Sequence, residues 1–229
     1  MNDVKELKNL DKLSSLNSKR WIWGSEYNYS ITLDYLQKVC VSIMDLNSEI
    51  KHLNKPEIKD IVFVITLVCW ICEAKQAIYN KLRDEVKEYI NLRDDEELIK
   101  ANKYIKALRS FVIAHPLETT RHDKFGMDGD LICVDFRRAD DPICKLIDDP
   151  TFWFSLDIEG LHENATDEPS DFNLLVYSKK IDQMKYIKYI KVRFSDIYRV
   201  AELNIDYLYK LDKTLGKLTQ KKVGILWLN

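Results

Sequence analysis

Arg109 and His115 are the residues whose types and spacing best suit chemistry. They stand in the stretch LRSFVIAHPLETTRH, residues 108–122. An imidazole titrates near neutrality, so His115 can take or give a proton at physiological pH. A guanidinium can hold a phosphate through two hydrogen bonds and stabilise charge that grows in a transition state. The pair suits phosphodiester cleavage without a metal, because RNA brings its own nucleophile, the 2′-hydroxyl. Ser110, beside Arg109, is the polar residue in position to support them. The competing reading is structural: His115 caps a helix C-terminus, and Arg109 pairs with an acid on a neighbouring helix.

Spacing alone does not bring the two side chains together. Six positions of a continuous α-helix turn through about 600°, so Arg109 and His115 would not share a face. Pro116 disfavours helical geometry at His115 and stops the helix there. The break can swing His115 back toward Arg109, or two-fold pairing of the chain can bring residues of two subunits together.

Further cations are candidates for holding phosphate. Arg121 and His122 follow the motif and add contacts if their loop folds back over the helix end. Residues 179–193 hold Lys179, Lys180, Lys185, Lys188, Lys191 and Arg193 against Asp182 alone. Lys185, Lys188 and Lys191 are the phosphate-binding candidates there, with Tyr186 and Tyr189 interleaved as stacking groups. Residues 140–171 carry the opposite sign, ten Asp or Glu against one Lys. The plainer reading is two solvated faces of opposite charge. Cys69 and Cys72 have the spacing of a redox or zinc half-site, but inside an apolar helical run they read as buried small residues. No metal site and no cofactor is expected. His122-Asp123 is superficially similar to the His-Asp pair of metal phosphohydrolases, but that chemistry needs a further His and a distal Asp converging on the metal, and His52 is poorly placed for the role.

The elements that must position these residues are mostly helical. Val4, Leu7, Leu10 and Leu13, three apart, predict a short helix over 2–14. Leu36, Val39, Ile43, Leu46, Ile50 and Leu53 predict one over 32–53. Ile58, Ile61, Ile65, Val68, Cys72, Tyr79, Leu82, Val86 and Tyr89 predict one long helix over 57–90. Asp94 or Asp95 caps a third, with Leu98, Ala101, Ile105, Leu108 and Val112 inward. Residues 131–136, 151–158 and 172–178 read as short strands. Ile187, Ile190, Phe194, Ile197, Ala201, Leu208, Leu215 and Leu218 predict a final helix over 180–218. The expected architecture is mainly α: one domain, residues 1–229, an up-and-down bundle with 117–178 as a β-containing insertion or long connection before the last helix.

The pattern of Arg109, polar Ser110, a short apolar stretch and His115-Pro116 at the close of a bundle helix resembles the HEPN superfamily. The resemblance covers roughly the four long helices and leaves 117–178 aside. It implies a helical bundle, commonly homodimeric, acting as a metal-independent endoribonuclease in toxin–antitoxin or antiviral defence. Arg109 and His115 would then be the catalytic pair, with Ser110 supporting them. RNA would be the substrate, and an antitoxin or other protein a possible partner. Ser110 departs mildly from the Asn, Asp or His often found there. The alternative is a non-catalytic bundle of the same fold that binds RNA, a nucleotide or a protein.

Composition bounds the rest. A net charge of −2 gives no global field toward nucleic acid, so a phosphate site must be local. Five cysteines in a chain of 229 residues argue against a disulfide framework, and a cytoplasmic location is expected. The charged opening MNDVKELKNLDKL has no signal-peptide apolar core. The apolar run Ile61–Cys72 is twelve residues long. A spanning helix needs about 20, so no membrane role is expected.

Overall fold

Residues 4–114, 132–135, 152–153, 170–178 and 186–220 are described by the computed structural model. Helices dominate them, and among them is one four-stranded sheet.

Leu7, Leu10 and Leu13 are buried, but residues 4–14 form no helix. The helix expected there is replaced by an irregular segment, because Asn47 satisfies its backbone from outside. The Asn47 amide accepts from Leu7 N at 2.8 Å and donates to Leu7 O at 2.9 Å. One turn follows, α1 (Ser15–Ser18). Its free N–H groups go to buried Asp212, which accepts from Leu16 N at 2.8 Å and Ser14 N at 3.3 Å.

Helix α2 (Glu26–Glu49) begins six residues before the apolar stripe predicts, because Ser25 caps it by accepting from Asn28 N at 3.1 Å. Helix α3 (Ile58–Lys81) packs along it. Asp60 accepts from Glu57 N at 2.7 Å and closes the first turn of α3. By length and composition α3 could cross a membrane, but 61% of its apolar window is buried inside the bundle.

The long helix expected over 57–90 is two helices. Leu82 turns extended and bridges Trp23, while Arg83 N donates to Ile22 O at 3.0 Å and Arg83 Nε to Trp23 O at 2.9 Å. Pairing with residues 22–23 takes the backbone groups that a continuous helix needs. Helix α4 (Asp84–Ile90) follows and ends at Asn91 in the left-handed region, φ 41°. Helix α5 (Glu96–Arg109) starts at Asp95, whose carboxylate accepts from Leu98 N at 2.9 Å.

The strands β1 (Ile132–Asp135), β2 (Phe152–Trp153), β3 (Phe172–Ser178) and β4 (Tyr186–Val192) form a sheet in the order β1-β3-β4-β2. Only the β2–β4 pairing is parallel. The β region therefore reaches Val192, beyond the 117–178 bounds expected. The last helix, α6 (Phe194–Gly216), is shorter than 180–218. Ile187, Ile190 and Phe194 fit helical spacing, but Tyr-Ile-Lys-Tyr-Ile-Lys-Val is equally a β-prone run, and β3 supplies its pairing partner. Asp171 then starts α6 by accepting from Phe194 N at 2.7 Å. Phe172, Leu174 and Val192 from the sheet are fully buried in the core cluster that the helices share.

Candidate functional site at the end of helix α5

Helix α5 turns Leu98, Ala101, Ile105 and Leu108 into the core. That phase sends its last residue, Arg109, outward. Arg109 Nη1 donates to Glu73 Oε1 at 2.5 Å, and the two side chains are 50% and 59% exposed. Glu73 comes from α3, 36 positions earlier. A guanidinium has five N–H donors in a rigid fork. Among the described residues, Glu73 takes one of them and no other protein group takes the rest.

At Ser110 the winding changes. Residues Ser110–Ala114 form a π-helical turn, in which bonding steps from i→i+4 to i→i+5. The β-branched pair Val112–Ile113 lowers α-helical preference there. Phe111 is fully buried, and β1 lies against the turn. Ser110 is 8% exposed. Ser110 therefore faces the interior while Arg109 faces solvent, and the two do not share a surface.

His115, Arg121, His122 and Lys185 lie outside the described residues. Lys188 and Lys191 are on β4. The final helix expected over 180–218 does not run through Lys188 and Lys191, because 186–192 is a strand. Positions 188 and 191, three apart, fall on opposite faces of a strand. Lys191 is buried in the sheet, 4% exposed, and engaged there.

Sequence reasoning missed Glu73, which meets Arg109, and Lys103 and Lys106, which precede it along α5. Glu73 carried no local signal. Lys103 and Lys106 did, since they precede Arg109 at three-residue steps on the outer side of α5. Both are exposed, without an acid partner among the described residues. Cys69, one turn before Glu73, is buried, and burial pushes its thiol up to about 12. Arg109 and Lys106 pull that thiol down and Glu73 pushes it up, so all three stand within electrostatic reach of it. The Cys72 thiol is also raised by burial. Both cysteines are therefore held as neutral thiols inside α3. Among the described residues no three His, Cys, Asp or Glu side chains gather as metal ligands do.

Other polar groups brace the bundle. Lys75, with a side chain 2% exposed, is clamped by Asp94 at 3.0 and 3.1 Å and lies 4.5 Å from the Tyr207 ring centre. Asn204 Nδ2 donates to Asn102 Oδ1 at 3.0 Å and to Cys72 Sγ at 3.3 Å. Tyr104, on the face of α5 toward α6, is held protonated by burial and by the charges of Asp196 and Asp171. A cleft of about 260 Å³ opens between residues 4–8 and α6, lined by Lys5, Lys8, Arg199, Glu202 and Asp206. Lys8 pairs with Asp206 across it at 3.6 Å, while Arg199 bonds Glu202 of its own helix at 2.6 Å and Glu97 of α5 at 2.7 Å. Glu97 stands at the start of α5, roughly 18 Å along the helix from Arg109, so this cleft is not part of that site.

Comparison with protein-family models, with curated proteins and with solved structures returns no match for this chain.

Proposed function

We propose that this chain is a HEPN-like, metal-independent endoribonuclease in which Arg109 grips the scissile phosphate and His115 moves the proton. Homodimerisation completes the site, and bacterial growth control or antiviral defence is its setting. One observation carries the reading. Arg109 ends the helix that precedes His115 with its guanidinium half-exposed and most of its donors unclaimed among the described residues. The mainly helical architecture is consistent with the helical bundle that the resemblance implies. A π turn beginning at Ser110 adds support, because such turns are frequent at functional sites.

The test is cleavage of single-stranded RNA with chelator present. The reading expects 2′,3′-cyclic phosphate ends and loss of cleavage in both Arg109→Ala and His115→Ala. Cleavage that survives His115→Ala unchanged ends it.

The Glu73 contact favours a second reading. A carboxylate already neutralises Arg109, as in a bundle that binds RNA or protein without turnover. That reading expects RNA or partner binding that depends on Arg109, with no product formed over any incubation.

A further inference from the structure

The outer face of α3 runs between α2 and α5, and three helices contribute side chains across it. Trp70, on α3, is 39% exposed. Lys38, from α2, lies 3.3 Å from the Trp70 ring centre. Glu73 follows Trp70 by one helical turn and reaches Arg109 on α5. Lys106 and Lys103 continue from Arg109 back along α5, both exposed and without an acid partner among the described residues. Three-residue steps turn by about 300° each, so Lys103, Lys106 and Arg109 spread over about 120° of the helix surface. The result is an exposed aromatic ring with Lys38 over it, one helical turn from the carboxylate that holds the guanidinium assigned to the scissile phosphate.

We propose that this surface binds single-stranded RNA, with a base stacked on Trp70 and the backbone carried over Lys106 and Lys103. The proposal rests on the reading of Arg109 as a phosphate ligand and supplies the strand's path to it. The pairing of ring and cations is what selects the ligand. Stacking on an aromatic side chain needs a base whose face is free, which a single strand offers and a duplex does not. The lysines suit the repeated charge of a phosphodiester chain. Lys38 does not block the ring. An exposed cation–π contact is weaker than a base–aromatic stack, so the flexible amine gives way to a base and turns to a neighbouring phosphate.

The experiment is an anisotropy titration of a labelled, short single-stranded RNA with the full chain across a salt series. Wild type, Trp70→Ala, Trp70→Phe, Lys103→Gln/Lys106→Gln and Arg109→Ala are compared, each first checked for helix content. Trp70→Ala is expected to weaken binding roughly 5- to 150-fold, and Trp70→Phe to restore most of it. The double lysine variant is expected to lower the slope of log affinity against log salt by about 1.4, two contacts at roughly 0.7 each. Wild-type affinity and salt slope in both Trp70→Ala and the lysine variant, with Arg109→Ala impaired, overturn this surface and leave the Arg109 reading standing. Arg109→Ala binding like wild type while Trp70→Ala fails overturns the Arg109 reading instead. No binding by wild type overturns both.

Discussion

At the scale of single residues, Arg109 is pulled two ways: its carboxylate partner Glu73 can serve as an anchor, and its solvent-facing donors can serve a ligand. Energetics separate the two. An exposed ion pair is worth about 0–1 kcal/mol, so Arg109→Ala should leave the denaturant midpoint nearly unchanged. In the same variant RNA cleavage should fall by about 100-fold or more, the usual cost of losing a transition-state donor. A large stability loss with activity intact would make Arg109 a strut. Glu73 permits a sharper prediction. Its charge opposes any anion that approaches Arg109, so Glu73→Gln should tighten RNA binding in the same titration. Weaker binding would mean that the carboxylate's grip is what holds the guanidinium ready. Glu73 could not be read from the neighbourhood of Arg109, because the contact spans 36 positions and depends on how α3 packs against α5. The outward phase of Arg109 was legible, since Leu98, Ala101, Ile105 and Leu108 fix which side of α5 is buried.

At the scale of elements, legibility followed how completely local residues satisfy local backbone. Helix α5 carries its own cap at Asp95 and its own apolar stripe, and it forms where both predict. Strand β3 occupies 172–178 as its β-prone run indicates. The departures occur where a distant group takes over the backbone. Asn47 holds Leu7, and residues 22–23 hold Leu82 and Arg83. Asp171 starts α6 from 23 positions away, and β3 claims the run before it as β4. None of these partners can be read from the segment it controls. The same long-range bonding predicts where elements are vulnerable. Lys75 ties α3 to Asp94, just ahead of α5, from a buried position. Lys75→Met leaves that carboxylate without its cation. It should cost about 3 kcal/mol, the low end for breaking a buried pair because Asp94 keeps some exposure. Urea unfolding measures this. A loss under about 1 kcal/mol would show that the pair nets little.

At the scale of the whole molecule, both ends of the described bundle are tied to each other. Asp212 of α6 caps α1, and Lys19 Nζ donates to Leu215 O, Gly216 O and Leu218 O at 2.7, 3.0 and 2.9 Å, closing the C-terminal end of α6. Helices α3 and α5 pack directly on one another, and the Glu73–Arg109 pair bridges them at the end where Lys106 also stands. The proposed chemistry then requires that an imidazole meet Arg109 across one phosphate, within a chain or between two. The measurement that tests this most directly is end-group analysis of RNA incubated with chelator and wild type, Arg109→Ala or His115→Ala. The account predicts 2′,3′-cyclic phosphate ends from wild type and intact RNA from both variants. Equal cleavage by wild type and His115→Ala would contradict it.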